Sequence, residues 1–425
     1  MEEFSPLAVE IVENAQKELV DKFEKLDLIG EFNQKKVLDS FYKNKIAEEH
    51  FYTVTGYGHD DIGREALDKV YADTFKTESA IVRPHFVSGS HTIACALFGV
   101  LKHSDRLVSI VGEPYDTMRE IIGSRKTDSY SSSLIGQGVK YSEVPLKNDK
   151  CVDFDNIEKY LLSDTKMVLI QRSRGYSLRD SLTIADIEKI IKIVKNKNPE
   201  ICCFVDNCYG EFTQTQEPTE IGADLIAGSL IKNPGGGIVE AGGYIAGLKK
   251  YVDLAANRLT APGIGSLGGA MHNQTRIILQ GLFLAPSITI GALKGAVLAS
   301  CVFKNLGFRT LPDTNSTRCD LIQTIEFDSI AQQQIFCQMV QKYSPVESYL
   351  TPIPDCVPGY DCNLLMAGGS FIEGSTIELS ADGPARAPYA IYMQGGLSYY
   401  HVKIALKGIV SELLKTNSIH IEVHQ

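Results

Sequence analysis

Apolar and polar positions along the chain predict helices and strands that follow one another in turn. Residues 8–26 and 34–49 carry helical periodicity with many charged positions, which predicts an N-terminal helical arm. From residue 64 to residue 247, short apolar runs alternate with helical patterns. Strands that alternate with helices are typical of a mostly parallel sheet covered on both faces. The predicted fold class is therefore α/β.

The individual elements follow from the same pattern. The predicted strands are residues 79–82, 106–111, 167–171, 201–205, 223–227 and 243–247, and the predicted helices are residues 64–75, 88–101, 184–194 and 399–415. The most apolar stretch, residues 280–303, contains Pro286 and Lys294, so a core helix is favoured over a membrane span.

Beyond about residue 300 the pattern changes to short strands before the final helix. This change predicts an N-terminal helical arm at 1–55, a large domain at 56–300 and a smaller C-terminal domain at 301–425.

Composition narrows the classes of partner and compartment. The 425 residues are 44% hydrophobic and 22% charged, which is ordinary for a soluble globular protein. The net charge of −10 argues against a nucleic-acid partner, which needs a basic face. The acidic N-terminus lacks the basic start and apolar core of a signal peptide. Ten scattered cysteines show neither a metal spacing nor a disulfide pattern, so we expect a cytoplasmic protein without a membrane partner.

One pair of polar residues indicates the chemistry. Val205-Asp206-Asn207 ends an apolar strand, and Ser229-Leu-Ile-Lys232 follows later in the chain. A lysine after a serine, preceded by an aspartate at a strand end, is what pyridoxal 5'-phosphate (PLP) requires. The lysine forms a Schiff base with the cofactor, and the carboxylate holds the proton on its pyridine nitrogen. Lys232 follows two apolar residues, so we expect partial burial to lower its pKa and free a neutral amine.

The glycine-rich run at residues 233–243 excludes two other nucleotide-binding motifs. A Walker loop places its lysine after the glycines and follows it with Ser or Thr, whereas Lys232 comes first. A dinucleotide fingerprint follows the first strand of a βαβ unit, and this run lies past the middle of the chain.

Two further segments are candidates for holding a phosphate and a ring. Ser88-Gly89-Ser90 stands where a loop becomes a helix, a place where backbone N–H groups and the helix dipole favour an anion. The hydroxyl of Ser229 could reach the same phosphate. Tyr115 follows a predicted strand, at the sheet edge where ligands gather.

Each of these residues also has an ordinary structural interpretation. Ser-Gly-Ser before a helix is a common N-cap, a tyrosine can cap a core edge, and a strand-end aspartate can simply form a turn. Most lysines are solvated surface charges. The candidate metal ligands match no known spacing, so we expect a solvated loop and no metal; they are His59, Asp60, Asp61, His85 and His91.

Taken in order, these motifs resemble those of the fold-type I PLP enzymes of the Cys/Met metabolism group, which includes cystathionine β-lyase, cystathionine γ-synthase and methionine γ-lyase. The chain is most similar to a bacterial methionine γ-lyase-like branch, also described as cystathionine β-lyases linked to aluminium resistance. Residues 55–61, 86–91 and 371–386 carry that likeness. It implies a transferase-like large domain with a mostly parallel seven-stranded sheet and a smaller α+β C-terminal domain.

The resemblance also implies a role for each candidate residue. Lys232 would be the Schiff-base lysine and the base at the substrate Cα, and Asp206 the partner of the pyridine nitrogen. Tyr115 would stack on the ring and act as the acid for the leaving group. Arg386 would bind the substrate α-carboxylate. The phosphate would be held by Ser88, Gly89, Ser90 and Ser229, with Tyr57 reaching it from a neighbouring subunit of a homodimer or homotetramer.

The sequence departs from the group's pattern near these positions. The group places an arginine two residues after its tyrosine, and here His59 follows Tyr57 at that spacing. The asparagine that usually faces the phenolic oxygen of the cofactor is not evident, and Arg172-Ser173-Arg174 occupies the corresponding strand end. These departures bear on the choice of substrate more than on the cofactor.

The function predicted from the sequence is a PLP-dependent carbon–sulfur lyase that acts on a sulfur amino acid by β- or γ-elimination. Two alternatives stay open at this point. One is a PLP-dependent aminotransferase on the same scaffold, and the other is a PLP-binding protein of low turnover.

Overall fold

The structure is a computed structural model that describes residues 3–125, 130–356 and 362–419. Contacts along the chain group it into two compact units. One unit contains residues 1–31 and 286–425, and the other contains residues 32–285.

Helices and strands follow one another along the described chain. In chain order they are α1 Pro6–Glu18, α2 Val20–Lys43, α3 Ile62–Thr74, β1 Ser79–Arg83, α4 Gly89–Val100, β2 Arg106–Ser109, α5 Asp116–Ile122, β3 Lys140–Glu143, α6 Ile157–Tyr160, β4 Thr165–Gln171, α7 Ile184–Lys197, β5 Cys202–Asp206, β6 Leu225–Ser229, β7 Gly243–Gly247, α8 Lys249–Leu259, α9 Gln274–Asn305, β8 Arg309–Leu311, β9 Gln323–Glu326, α10 Ile330–Lys342, β10 Leu364–Ala367, β11 Ser380–Pro384, β12 Ala390–Gln394 and α11 Tyr399–Lys415. Short 3-10 helices lie at Glu48–Phe51, Tyr130–Ser132, Pro218–Ile221, Asn233–Gly235 and Gly265–Leu267.

The unit of residues 32–285 is built on a seven-stranded sheet. Its strand order is β1-β7-β6-β5-β4-β2-β3. β7 runs antiparallel to both of its neighbours, while the pairs from β6 to β3 are all parallel. The predicted mostly parallel seven-stranded sheet is therefore confirmed.

The central strands are apolar on both faces because helices cover both sides of a parallel sheet. Every residue of β5, β6 and β7 is buried. Local signals fix where the covering helices begin. The Thr183 hydroxyl accepts a hydrogen bond from the Asp186 N–H, and the Asp186 carboxylate accepts one from the Thr183 N–H, which forms the capping box of α7.

Residues 286–425, with residues 1–31, form the second unit. Its sheet has five strands in the order β10-β11-β12-β9-β8, and all neighbouring strands are antiparallel. This agrees with a smaller domain of different character after about residue 300. The final helix has the predicted bounds at Tyr399–Lys415.

The division of the chain differs from the expected boundaries at residues 55 and 300, since the first N-terminal residues group with the C-terminal ones. The buried face of α1 consists of Ala8, Val12 and Ala15. The carboxylate of Glu13 lies 2.8 Å from Lys403 Nζ and 2.6 Å from Lys407 Nζ on α11. Burial of this apolar face and the two ion pairs attach α1 to α11.

The predicted elements are mostly present, with shifted ends. The predicted helices at 8–26 and 34–49 are present with other bounds, because α1 ends at Glu18 and α2 runs from Val20 to Lys43. β3 was missed, since its four residues carry exposed and half-buried polar side chains on an edge strand. β2 ends at Ser109 and β6 begins at Leu225, two residues from the predicted bounds.

The most apolar stretch forms part of α9, which continues through Pro286. In the described part of the chain α9 is the one helix long and apolar enough to cross a membrane, and two thirds of its most apolar window, 67%, is buried within the protein. Burial of this extent is typical of a core helix, as the sequence predicts.

Candidate cofactor site

The carboxyl ends of β5 and β6 bring two of the candidate residues to one edge of the sheet. Asp206 is the last residue of β5 and pairs in register with Ala227 of β6. Ser229 ends β6, and Lys232 follows it in the turn before the glycine-rich run. Asp206 and Ser229 are 4% and 1% exposed, so both polar groups are held away from solvent. The sequence predicts this edge as the ligand edge of an α/β sheet.

The surroundings of Asp206 offset only part of the cost of burying its carboxylate charge. Burial raises its pKa above the ordinary value, and this effect exceeds the opposing ones. The Cys208 N–H donates a hydrogen bond of 3.2 Å to Asp206 Oδ1, and the charges of Lys232 and Arg179 also favour the ionised form. A buried carboxylate in this state is suited to a further cationic partner, such as a protonated ring nitrogen.

Lys232 lies against an aromatic ring that the sequence analysis did not single out. Its Nζ is 3.7 Å from the ring centroid of Tyr209, and the two side chains are hydrogen bonded. Burial lowers the pKa of Lys232, but Tyr209, Cys208 and Asp206 together raise it by more, so the pKa lies above its ordinary value. The expectation of a lowered pKa is therefore wrong, because burial was considered without the acidic side chains that surround the amine.

The N-terminus of α4 meets the end of β6 at Gly89. A Cβ atom added at Gly89 would lie 3.1 Å from the Ser229 Cβ and 3.8 Å from the Cys208 Sγ. The Ser229 Oγ is buried and has no hydrogen-bond partner among the residues that the structure describes. A buried hydroxyl without a partner is costly unless a ligand satisfies it. A glycine that lets the backbone come close, a helix N-terminus and a hydroxyl without a described partner together fit a phosphate group.

The serines on either side of Gly89 have different partners. The Ser88 Oγ accepts a hydrogen bond of 3.1 Å from the His91 N–H, so Ser88 is the N-cap of α4. The side chain of Ser90 hydrogen bonds with Tyr115. Burial and the neighbouring Asp206 raise the pKa of Tyr115 well above its ordinary value. Tyr115 and Ser90 therefore belong to the same group of side chains as Asp206.

Two candidate residues are not part of this buried group. The side chain of Tyr57 is 83% exposed, and its ring lies 5.7 Å from that of His59. Arg386 is exposed and belongs to the other compact unit, where it lies two residues after the end of β11. Their assigned roles stay predictions.

Among the residues that the structure describes, no three His, Cys, Asp or Glu side chains come together as a group that could hold a metal ion. Of the five candidate ligands, His85 lies next to His272, with ring centroids 5.6 Å apart.

Tyr209 was not predicted as a site residue, yet its ring lies against Lys232 and the residue is only 7% exposed. Its backbone φ of +66° is in the left-handed region, which residues other than glycine seldom adopt. The sequence offered one signal, the Tyr209-Gly210 step directly after the strand end, which is typical of a turn. That signal does not show where the tyrosine ring would point.

The residues at this sheet edge fit pyridoxal phosphate. Ser229 and the Gly89 approach suit the phosphate, Asp206 suits the ring nitrogen, and Lys232 supplies the amine. Comparison with known proteins leads to the same class. The family model for methionine gamma-lyase matches residues 8–414. The chain belongs to the methionine gamma-lyase family, and its cofactor is pyridoxal 5'-phosphate.

Individual relatives cover nearly the whole chain. The uncharacterized protein YnbB of Bacillus subtilis is 45% identical over 394 residues, which are 93% of each chain. A carbon-sulfur lyase involved in aluminum resistance from Clostridium novyi is 45% identical with a TM-score of 0.92, covering 96% of both chains. A candidate cystathionine beta-lyase involved in aluminum resistance from Listeria monocytogenes is 48% identical with a TM-score of 0.92, covering 94% of this chain and 98% of the other.

A more distant structure shares the fold alone. The pyridoxal-5'-phosphate dependent protein YhfS of Escherichia coli is 17% identical with a TM-score of 0.61, covering 91% of this chain and 97% of the other. The family membership and the fold together make this protein an enzyme of the PLP-dependent lyase family.

Proposed function

We propose that this enzyme is a carbon–sulfur lyase that releases a thiol from a sulfur amino acid of the cystathionine or methionine type, by β- or γ-elimination. The observation that carries the proposal is the buried group of Asp206, Lys232 and Tyr115 at one sheet edge. The names of the similar bacterial proteins support the choice of a sulfur substrate.

Bound pyridoxal phosphate supplies an electron sink that stabilises negative charge at the Cα atom of an amino acid. Lys232 would hold the cofactor, and its ε-amine, when it is not bonded to the cofactor, would accept the proton from the substrate Cα. Asp206 keeps the proton on the ring nitrogen, because a buried carboxylate with a raised pKa gains most from a cationic neighbour.

Tyr115 is proposed to protonate the leaving thiolate. Its pKa is raised well above the ordinary value by burial, and by Asp206 and Cys208. The phenol therefore keeps its proton at neutral pH, which is the state a general acid needs. Its hydrogen bonds with Ser90 and Thr117 orient the hydroxyl. Arg386 is proposed to bind the substrate α-carboxylate as a bidentate partner.

We further propose a homodimer or homotetramer in which Tyr57 reaches the phosphate bound to the neighbouring subunit. The large exposed fraction of its ring, 83%, supports an intermolecular role. A two-fold arrangement is the commonest closed assembly of identical chains. The cytoplasm is the proposed compartment, and ten free cysteines are consistent with reducing conditions there.

A product assay tests the proposed reaction. Purified enzyme is incubated separately with cystathionine, methionine, cysteine and homocysteine, and the keto acid, ammonia and thiol are quantified. Elimination gives all three in equal amounts, with pyruvate marking β-elimination of cystathionine and 2-oxobutyrate marking γ-elimination. A Lys232→Ala protein is the control that should release none of them.

Each other outcome points to a different function. A keto acid formed without ammonia, and only when an amino-group acceptor is present, would identify an aminotransferase and contradict the proposal. Absence of every product from all four amino acids, with the visible absorption of bound cofactor intact, would contradict it as well and favour a PLP-binding protein of low turnover.

A further inference from the structure

The backbone at Tyr209 holds a conformation that costs free energy. Its φ of +66° places a bulky residue in the left-handed region, which is unfavourable for a residue with a Cβ atom. Phe212, three residues later, has a φ of +62°. Strain of this kind persists where the surroundings over-determine the conformation, and it is common at functional sites.

A buried arginine fixes the turn that carries Tyr209. A Cβ atom at Gly210 would lie 2.4 Å from the Arg172 Cδ, so the side chain of Arg172 packs directly on the glycine backbone. Arg172 is fully buried and donates a hydrogen bond of 2.8 Å to Asn207 Oδ1. The Arg172 Nη1 atom also lies 3.6 Å from the Glu217 Oε2 atom. These contacts hold the chain on both sides of Tyr209 and offset the cost of its conformation.

The held turn presents Tyr209 to Lys232 in two ways. The ring face lies under the ammonium, with 3.7 Å from Nζ to the centroid, and the hydroxyl hydrogen bonds with the same group. Three groups that raise the pKa of Lys232 come from the end of β5 and this turn, and they are Tyr209, Cys208 and Asp206.

We propose that Tyr209 is a positioning residue for Lys232, and that its ring and hydroxyl hold the ε-amine in place whenever this amine is not bonded to the cofactor. The proposal goes beyond the lyase reaction, since it rests on the cofactor and not on which thiol is released. It applies before the cofactor is loaded and after a substrate amine has displaced the lysine.

Such a residue has a clear physical use. A lysine side chain has many rotamers, so a released amine without a partner samples many positions. Lys232 becomes an ammonium when it accepts the Cα proton. An aromatic face and a hydroxyl both stabilise an ammonium over a neutral amine. Tyr209 thus stabilises both the position and the protonated state of the base.

The test follows cofactor loading without any substrate. Apoprotein of the full chain is mixed with pyridoxal phosphate at a series of pH values, and the rate at which the visible absorption band appears is recorded. Loading requires the neutral amine of Lys232, so the rate rises with pH around the pKa of that amine.

Tyr209→Phe keeps the ring and removes the hydroxyl, so we expect the midpoint of the pH profile to move down by roughly one pH unit. Tyr209→Asn removes the ring as well and should move the midpoint further, and asparagine tolerates a positive φ. Tyr71→Phe is the matched control, because the Tyr71 hydroxyl is buried in the same unit without a hydrogen-bond partner. Its profile should coincide with that of the wild type.

A Tyr209→Phe profile that coincides with the wild-type profile would overturn the proposal, as would an equal shift in Tyr71→Phe. If Tyr209→Phe does not fold, as judged by circular dichroism, Tyr209→Asn decides the matter by the same criterion. Failure of this test leaves the lyase assay unaffected, and a negative lyase assay leaves this test unaffected, because no amino acid is present.

Discussion

Asp206 and Lys232 stabilise each other's charged form at the carboxyl edge of the seven-stranded sheet. The charge of Lys232 lowers the pKa of Asp206, and Asp206 contributes to raising the pKa of Lys232. The lysine is 26 positions beyond the aspartate in the chain, and the parallel pairing of β5 with β6 makes them neighbours. A cofactor that bonds to the Lys232 amine, and whose ring nitrogen carries a proton beside the Asp206 carboxylate, would use both groups.

Replacing the unpaired hydroxyl at the phosphate site should weaken cofactor binding selectively. We expect Ser229→Ala to raise the dissociation constant of pyridoxal phosphate about tenfold, the usual value of one hydrogen bond to a charged group. The free energy of unfolding of the apoprotein should hardly change, because the Ser229 Oγ has no partner within the protein. Fluorescence titration and urea unfolding measure the two quantities.

Ser142→Ala is the control for that experiment. The Ser142 Oγ, on β3, is also buried without a partner, so its loss should alter neither quantity. Equal dissociation constants for Ser229→Ala and the wild type would remove Ser229 from the phosphate site.

The buried carboxyl of Glu211 should make the free energy of unfolding depend on pH. Burial raises the pKa of Glu211 to about 8, from an ordinary value of 4.5. Between these values the unfolded chain ionises at this residue and the folded chain does not. The stabilisation is therefore complete below pH 4.5 and is lost as the pH rises through about 8, with a slope of at most about 1.4 kcal/mol per pH unit.

Glu211→Gln cannot titrate, so its free energy of unfolding should depend less on pH across this range than that of the wild type. Urea unfolding at several pH values gives the comparison, with Glu158→Gln as the control for an exposed carboxylate that pairs with Lys197. Parallel pH profiles for Glu211→Gln and the wild type would show that Glu211 is ionised in the folded protein.

Removal of the proposed carboxylate-binding arginine should affect the substrate more than the cofactor. We expect Arg386→Ala to raise KM for amino acids about tenfold or more while the visible absorption of bound cofactor is retained, since a bidentate ion pair is lost. Arg309→Ala in the same unit is the control, because Arg309 pairs with Glu326 on the surface. An unchanged KM in Arg386→Ala would assign substrate binding to another residue.

The proposed contact of Tyr57 with a neighbouring subunit predicts an assembly. Light scattering should give the mass of a dimer or tetramer for the active wild type. Tyr57→Ala should weaken binding of pyridoxal phosphate, because the ring is exposed in the single chain and would act only across the interface. A strictly monomeric species with full activity would exclude this contact.

Much of the fold could be predicted because its signals are local. β7 has the predicted bounds at Gly243–Gly247, and α7 begins at the predicted Ile184, where the Thr183 capping box fixes its start. The edge strand β3 gave no such signal, because its side chains are polar and partly exposed. An edge strand is recognised by its pairing with β2, which the sequence does not show.

The candidate site divides in a similar way. Asp206 and Lys232 were found because residue type and order reflect their chemistry. The raised pKa of Lys232 and the contact with Tyr209 could not be predicted, since both arise from a tyrosine in a left-handed conformation that Arg172 holds from another strand end. For Ser88 the ordinary structural interpretation is the right one for the side chain, which acts as the N-cap of α4.

The most direct measurement is the turnover of Asp206→Asn with the cofactor bound. Asparagine keeps the size of the side chain but cannot hold the ring-nitrogen proton, so the electron sink is lost while Lys232 still anchors the cofactor. In Asp206→Asn the visible absorption band and the cofactor stoichiometry should be retained. The kcat for the best sulfur amino acid should fall by about two orders of magnitude or more. Turnover at the wild-type rate would contradict the assignment of Asp206 as the partner of the ring nitrogen. It would also contradict the proposal that Asp206 and Lys232 act together at this site.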